Sequence, residues 1–122
     1  MNIRKSGEDY LETILMLCKQ HGSARSVDIA AHLNVSKPSV SFAMKKLREH
    51  GYILMGEDNR ITLTEVGEAI ACRVLERHDL LCHMLMRLGV SEETARADAC
   101  KIEHDLSDET FEAIRNHLAV FQ

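Results

Sequence analysis

Proline is nearly missing from these 122 residues, Pro38 standing alone, and glycine occupies six positions. With 45% apolar residues, that composition excludes a disordered or low-complexity chain and fits a globular one. No run approaches the roughly 18 uncharged apolar residues of a membrane span. The opening Met1-Asn2-Ile3-Arg4-Lys5-Ser6-Gly7-Glu8-Asp9 lacks the apolar core of a secretory signal. A cytoplasmic location is therefore expected. The four cysteines, Cys18, Cys72, Cys82 and Cys100, are widely spaced, and three fall in helical patterns on apolar faces. They read as reduced thiols, not as a disulfide framework. There is no internal repeat. The length suits one domain, or two small layers sharing a core.

A strong positive charge is also missing, since the chain carries a net −4. The halves differ, however. Residues 1–63 hold nine Lys/Arg and seven Asp/Glu, giving +2, and residues 64–122 hold six and twelve, giving −6. A mildly basic first half suits a nucleic-acid contact and an acidic second half suits cation binding, although solvated charge alone produces asymmetries of this size.

What is present is helical periodicity. Ser6-Gly7-Glu8-Asp9 reads as a helix start with Ser6 as N-cap, and Leu11, Ile14, Leu15 and Cys18 form an apolar stripe ending near His21-Gly22. Ser26 caps a short second helix whose contacts are Val27, Ile29, Ala30 and Leu33. After Asn34-Val35, Ser36 caps a third helix with Pro38 in its first turn, buried through Val40, Ala43, Met44 and Leu47 and stopped by Gly51. Two short helices across a tight turn, the second opening on small polar residues and continuing with basic ones, read as a helix-turn-helix. A generic helical hairpin with solvated lysines is the plainer alternative. Tyr52–Met55 and Ile61–Thr64 then read as strands around the turn Gly56–Arg60, which makes the unit a winged helix. On it, Arg25, Lys37, Lys45, Lys46 and Arg60 would address phosphates. Ser36, Pro38, Ser39, Ser41 and Phe42 would approach base edges and thymine methyls.

Thr64 caps a long helix to Leu88-Gly89 with Val66, Ile70, Val74, Leu81, Leu85 and Leu88 as its stripe, and His78 falls into that stripe. Ser91 caps the next helix, cored by Ala95, Ala99, Ile102 and Leu106. Ser107 caps the last, with Phe111, Ile114, Leu118 and Phe121. Cys100, Glu103 and His104 stand at i, i+3 and i+4, one helical face. A thiolate, a carboxylate and an imidazole so placed can hold a transition metal. The further donors would be Asp9-x-x-Glu12 and His78. Each has a plainer reading. A first-turn Asp stabilises a helix start, a lone His on an apolar face is often a hydrogen-bonded core residue, and Cys is a small core residue.

Taken together, the residues resemble the diphtheria toxin repressor and manganese transport regulator family. The resemblance is carried by Glu8-Asp9-Tyr10-Leu11-Glu12, Val27-Asp28-Ile29-Ala30, Ser36-Lys37-Pro38-Ser39-Val40, Leu63-Thr64-Glu65-Val66-Gly67, Arg77-His78-Asp79-Leu80-Leu81 and Ile102-Glu103-His104, in the family's order. It implies a mainly α fold. Residues 1–64 would form a winged helix-turn-helix DNA-binding domain with a two-stranded wing. Residues 65–122 would form a helical metal-binding and dimerisation domain, to which the first helix lends ligands. It implies a homodimeric transcriptional regulator, a repressor, activated by Mn²⁺ or Fe²⁺ and controlling metal homeostasis genes. The length leaves no room for the extra SH3-like domain of the iron-responsive members. Residue by residue, Asp9, Glu12, His78, Glu103 and His104 match ligands of the manganese branch. Cys100 matches the iron branch, which has Met where this chain has Asp9. The set is a hybrid, and its thiolate shifts preference toward Fe²⁺ or Zn²⁺. One ion or two is left open. Two other readings compete: a metal-dependent hydrolase, for which no substrate pocket is evident, and a winged-helix module that binds protein without metal.

Overall fold

The computed structural model describes residues 5–120. Six helices and a two-stranded sheet are formed among them: α1 Lys5–His21, α2 Ser26–Leu33, α3 Lys37–Glu49, β1 Ile53–Met55, β2 Ile61–Leu63, α4 Glu65–Arg87, α5 Glu92–Ile102 and α6 Asp108–Val120. None is long and apolar enough to cross a membrane. The chain forms two compact units, residues 1–72 and 73–122, with the boundary inside α4.

The first unit is a winged helix. Helix α1 packs on α2, α3 and β2 and buries Tyr10, Leu11, Ile14, Leu15 and Leu17. Helix α2 ends at Asn34, a left-handed C-cap (φ 55°) that asparagine tolerates, and Val35 N–H returns to Ala30 O at 3.1 Å. Helix α3 is capped by Ser36, whose Oγ accepts from Ser39 N–H at 3.2 Å, and Pro38 sits in its first turn where no N–H is required. The wing is an antiparallel pair with Ile53 opposite Leu63 and Met55 opposite Ile61. Ala24 adds a bridge to Ile61, so the sheet extends toward a third strand. A short 3-10 turn, Glu57–Asn59, closes the wing.

The start of α4 is knitted to the turn before β1. Thr64 Oγ1 caps Gly67 N–H at 3.1 Å and donates to Gly51 O at 2.7 Å, while Thr64 N–H bonds Tyr52 O at 3.1 Å. Gly67 packs directly on the Tyr52 carbonyl, with no room for a Cβ. The second unit is cored by Leu81 and Cys82 of α4 and Ala95 and Ala99 of α5, with Ile102, Leu106 and Ile114 packed around them. Ser91 and Ser107 cap α5 and α6 through Thr94 N–H and Thr110 N–H.

Several expectations need correction. Ser6 lies inside α1, not at its N-cap, and Asp9 stands beyond the first turn, whose acid is Glu8. Arg25, not Ser26, is the N-cap of α2 and makes no side-chain cap, because the helix already includes Ser26. Val27, Val66 and Leu88 are exposed, Leu88 by 75%. The true inward stripe of α4 runs through Ala71, Val74, Arg77 and Leu81. Cys72 and Cys100 are exposed and Cys18 half-buried, so only Cys82 is a core thiol, although none of the four is in a disulfide. Phe121 lies outside the described residues.

Candidate metal centre and nucleic-acid interface

The chemistry of the second unit gathers at the end of α5. That helix stops at Ile102, with Glu103 as its C-cap and His104 in the following turn. Glu103 keeps helical dihedrals (φ −59°, ψ −28°) and its N–H bonds Ala99 O at 3.0 Å, so Cys100 and Glu103 still share one helical face. Glu103 faces inward and is 2% exposed. From α4, His78 Nδ1 reaches Glu103 Oε2 at 2.9 Å, and His104 Nε2 stands 3.2 Å from Glu103 Oε1. That second contact is an ion-pair distance without hydrogen-bond geometry, so Oε1 has no hydrogen bond although it is buried. One donor atom from each of His78, Cys100 and Glu103 lies within 4.8 Å of the others.

A buried carboxylate must be compensated or it destabilises the fold by an amount of order several kcal/mol. Two imidazoles compensate it fully only if protonated. A divalent cation would do so at neutral pH while leaving both imidazoles neutral. The donor set of nitrogen, sulfur and oxygen suits a first-row transition ion better than Ca²⁺ or Mg²⁺. The residues present thus fit a metal. Asp9 and Glu12 belong to the first unit, three residues apart on α1 and both half-buried.

Arg77 was given no role by the sequence beyond its place in the Arg77-His78-Asp79-Leu80-Leu81 motif. It is buried beside His78, bonds Leu106 O at 2.9 Å and Glu103 O at 3.4 Å, and pairs with Asp108. Its position in the α4 stripe, three residues after Val74 and four before Leu81, was the available signal.

In the first unit, Lys37, Pro38, Ser39, Ser41, Phe42, Lys45 and Lys46 are all exposed along α3. Phe42 is 63% exposed, and Lys46 Nζ lies 5.0 Å from its ring centroid. The Ser36 hydroxyl is engaged with Ser39, Oγ to Oγ 2.8 Å, so its first duty is the cap. Arg25 is exposed at the start of α2. Arg48, not singled out from sequence, is a further exposed cation on α3 and lines a cleft with Ser26, Ser41 and Lys45. Arg60 is exposed at the wing, but Glu57 and Asp58 stand on the same turn and offset its charge. On α1, burial first and the Glu68 carboxylate second push the Cys18 thiol up from its ordinary range.

Two family profiles match the chain in succession. Residues 2–59 match the profile described as iron dependent repressor, N-terminal DNA binding domain. Residues 64–122 match the one described as iron dependent repressor, metal binding and dimerisation domain. The chain is 44% identical over 108 residues to the transcriptional regulator MntR of Escherichia coli, covering 88% of this chain and 70% of that protein. Among solved structures it resembles IdeR of T. acidophilum, with a TM-score of 0.85 at 28% identity over 98% of this chain. The manganese regulator SloR gives a TM-score of 0.83 at 29% identity over 98%. The chain spans 55% of the length of each of those two structures.

Proposed function

The chain belongs to the iron-dependent repressor family, and from that premise we propose that it is a homodimeric, metal-dependent transcriptional regulator, cytoplasmic and without enzymatic activity, that represses metal homeostasis genes when Mn²⁺ or Fe²⁺ is bound. One observation carries this reading: a carboxylate, Glu103, buried between His78 and His104 with an oxygen that lacks a hydrogen bond, beside the Cys100 thiol.

The ligand set is Asp9, Glu12, His78, Cys100, Glu103 and His104. The half-burial of Asp9 and Glu12 on α1 supports their inclusion. A bound divalent cation supplies the positive charge that this many carboxylates and a thiol need. Everything else is done by the chain. Glu103 orients His78 through the 2.9 Å contact, and α5 and α4 present the thiol and imidazole from separate elements. If these ligands converge, Asp9, Glu12 and Glu103 would repel one another without a cation and α1 would be held loosely. With one, the arrangement whose two recognition helices fit successive major grooves is favoured. A tenfold preference for that state corresponds to about 1.4 kcal/mol.

DNA is met by α3. Lys37, Lys45, Lys46, Arg48 and Arg25 contact phosphates, which give affinity and salt dependence. Pro38, Ser39, Ser41 and Phe42 meet bases, with Ser36 fixing the helix start. Arg60 contributes less than the α3 cations because of its acidic neighbours. The functional division falls near residue 64, where Thr64 ends the wing and opens α4.

The test is fluorescence anisotropy on a selected operator pool with Mn²⁺, Fe²⁺ (anaerobic) and Zn²⁺ titrated separately. Strong stimulation by one ion is expected. Equal binding in the presence of a chelator would overturn the metal switch and leave a constitutive winged-helix binder.

A further inference from the structure

Arg77 leaves α4 one residue before His78, and its side chain is 11% exposed. A buried guanidinium is costly unless its donors are answered, and an apolar side chain of similar volume in its place is often neutral or stabilising. On a stripe with Val74 and Leu81 as neighbours, Met or Leu would be the simpler choice. Nε is buried without a hydrogen bond, and what the two Nη groups do accounts for the residue's presence. Nη1 donates to Leu106 O at 2.9 Å and, at the longer distance of 3.4 Å, to Glu103 O. Nη2 pairs with Asp108 in the first turn of α6. The guanidinium Cζ lies 5.0 Å from the Phe111 ring centroid. Every partner belongs to the segment 103–111, which holds Glu103 and His104.

We propose that Arg77 is a positioning residue of the metal centre. It fixes the backbone of the Glu103–Leu106 turn, and so the Glu103 carboxylate and His104 imidazole, against His78, and it ties that turn to the start of α6. The bonds to the turn are to main-chain carbonyls, so they set where the backbone runs independently of side-chain rotamers. One turn of α4 thus supplies both a donor atom and the clamp that brings the other donors to it. A lysine keeps the charge but not the planar fork, and cannot answer two carbonyls and a carboxylate together. This inference rests on the metal-centre reading above.

The experiment uses the full chain and Co²⁺ as probe, whose ligand-field bands report donor arrangement and whose thiolate charge-transfer band reports Cys100. Wild type, Arg77→Lys, Arg77→Met and Asp108→Asn are titrated, and their metal-free Tm values are recorded. In Arg77→Lys and Arg77→Met the bands should move and Co²⁺ affinity should fall at least tenfold. Asp108→Asn alters a side chain that is 83% exposed, so it should leave the fold intact and shift both in the same direction by less. An Arg77→Lys protein that folds and shows wild-type bands and affinity overturns the proposal. So does a variant set in which band positions stay fixed and affinity merely tracks Tm. Should neither Arg77 variant fold, unchanged bands and affinity in Asp108→Asn overturn it equally. Failure of the wild type to take up Co²⁺ would instead sink the metal-centre reading, and this one with it.

Discussion

His78 and Glu103, 25 residues apart in sequence, meet at 2.9 Å with the carboxylate sealed from solvent. Glu103→Gln keeps the shape and removes the charge. Burying an amide costs less than burying a carboxylate, so the metal-free Tm should hold or rise, while the rise in Tm on adding Mn²⁺ or Fe²⁺ disappears. Wild type should gain about 2.7 kcal/mol at a free ion concentration of 100 times Kd. Differential scanning calorimetry with and without metal checks both halves; a retained metal increment in Glu103→Gln contradicts the assignment.

Gly67→Ala should be among the more damaging single substitutions in the first unit. Its Cβ would enter the space of the Tyr52 carbonyl, and backbone cannot swing aside as a flexible side chain can. A loss of about 1–3 kcal/mol or more is expected from overpacking of this kind, read from urea denaturation at constant m-value.

Phe42 is expected to read thymine through its methyl group. Replacing individual operator thymines by deoxyuridine should weaken wild-type binding at one or two positions, by about 1 kcal/mol or somewhat more. Phe42→Ala should be insensitive to the same replacements. Equal sensitivity in both proteins would place Phe42 off the bases.

Lys45→Gln and Lys46→Gln should weaken binding to all sequences alike and each lower the slope of log K against log salt by about 1. Arg60→Gln should do less, because Glu57 and Asp58 already offset that charge.

Thiol labelling should separate the four cysteines. Cys72 and Cys100 react first, Cys82 last. Cys18 stays protonated beyond the ordinary thiol range of about 8.5, so its labelling rises only at higher pH. Saturating metal should slow Cys100 and leave Cys72 unchanged; peptide mass mapping after timed alkylation tells the two apart.

Where chemistry is local, it was legible in the chain. Ser36, Ser91, Ser107 and Thr64 cap the helices they were expected to cap, because a hydroxyl three residues before an unsatisfied N–H is a short-range event. Ser6 and Ser26 failed because a serine inside the first turn looks the same in sequence as one just before it. Val66 and Leu88 were assigned to the core on periodicity, yet periodicity names a face and not what lies opposite it. Arg77 was missed for the converse reason. It occupies an inward position that a residue-type rule reserves for apolar side chains, and only the carbonyls waiting across the gap explain it. Of the metal centre, the residue types and the meeting of His78, Cys100 and Glu103 were legible. The end of α5 at Ile102 and the full burial of Glu103 were not.

That helix end has an electrostatic meaning of its own. The aligned peptide dipoles of α5 leave roughly half a negative charge at its C-terminus, and the chain places a carboxylate there as the C-cap where a basic residue would ordinarily be favourable. Main chain and side chain therefore reinforce one another in drawing a cation to one spot. Thinning the side-chain ligands should alter which ion is selected sooner than it abolishes the attraction for positive charge.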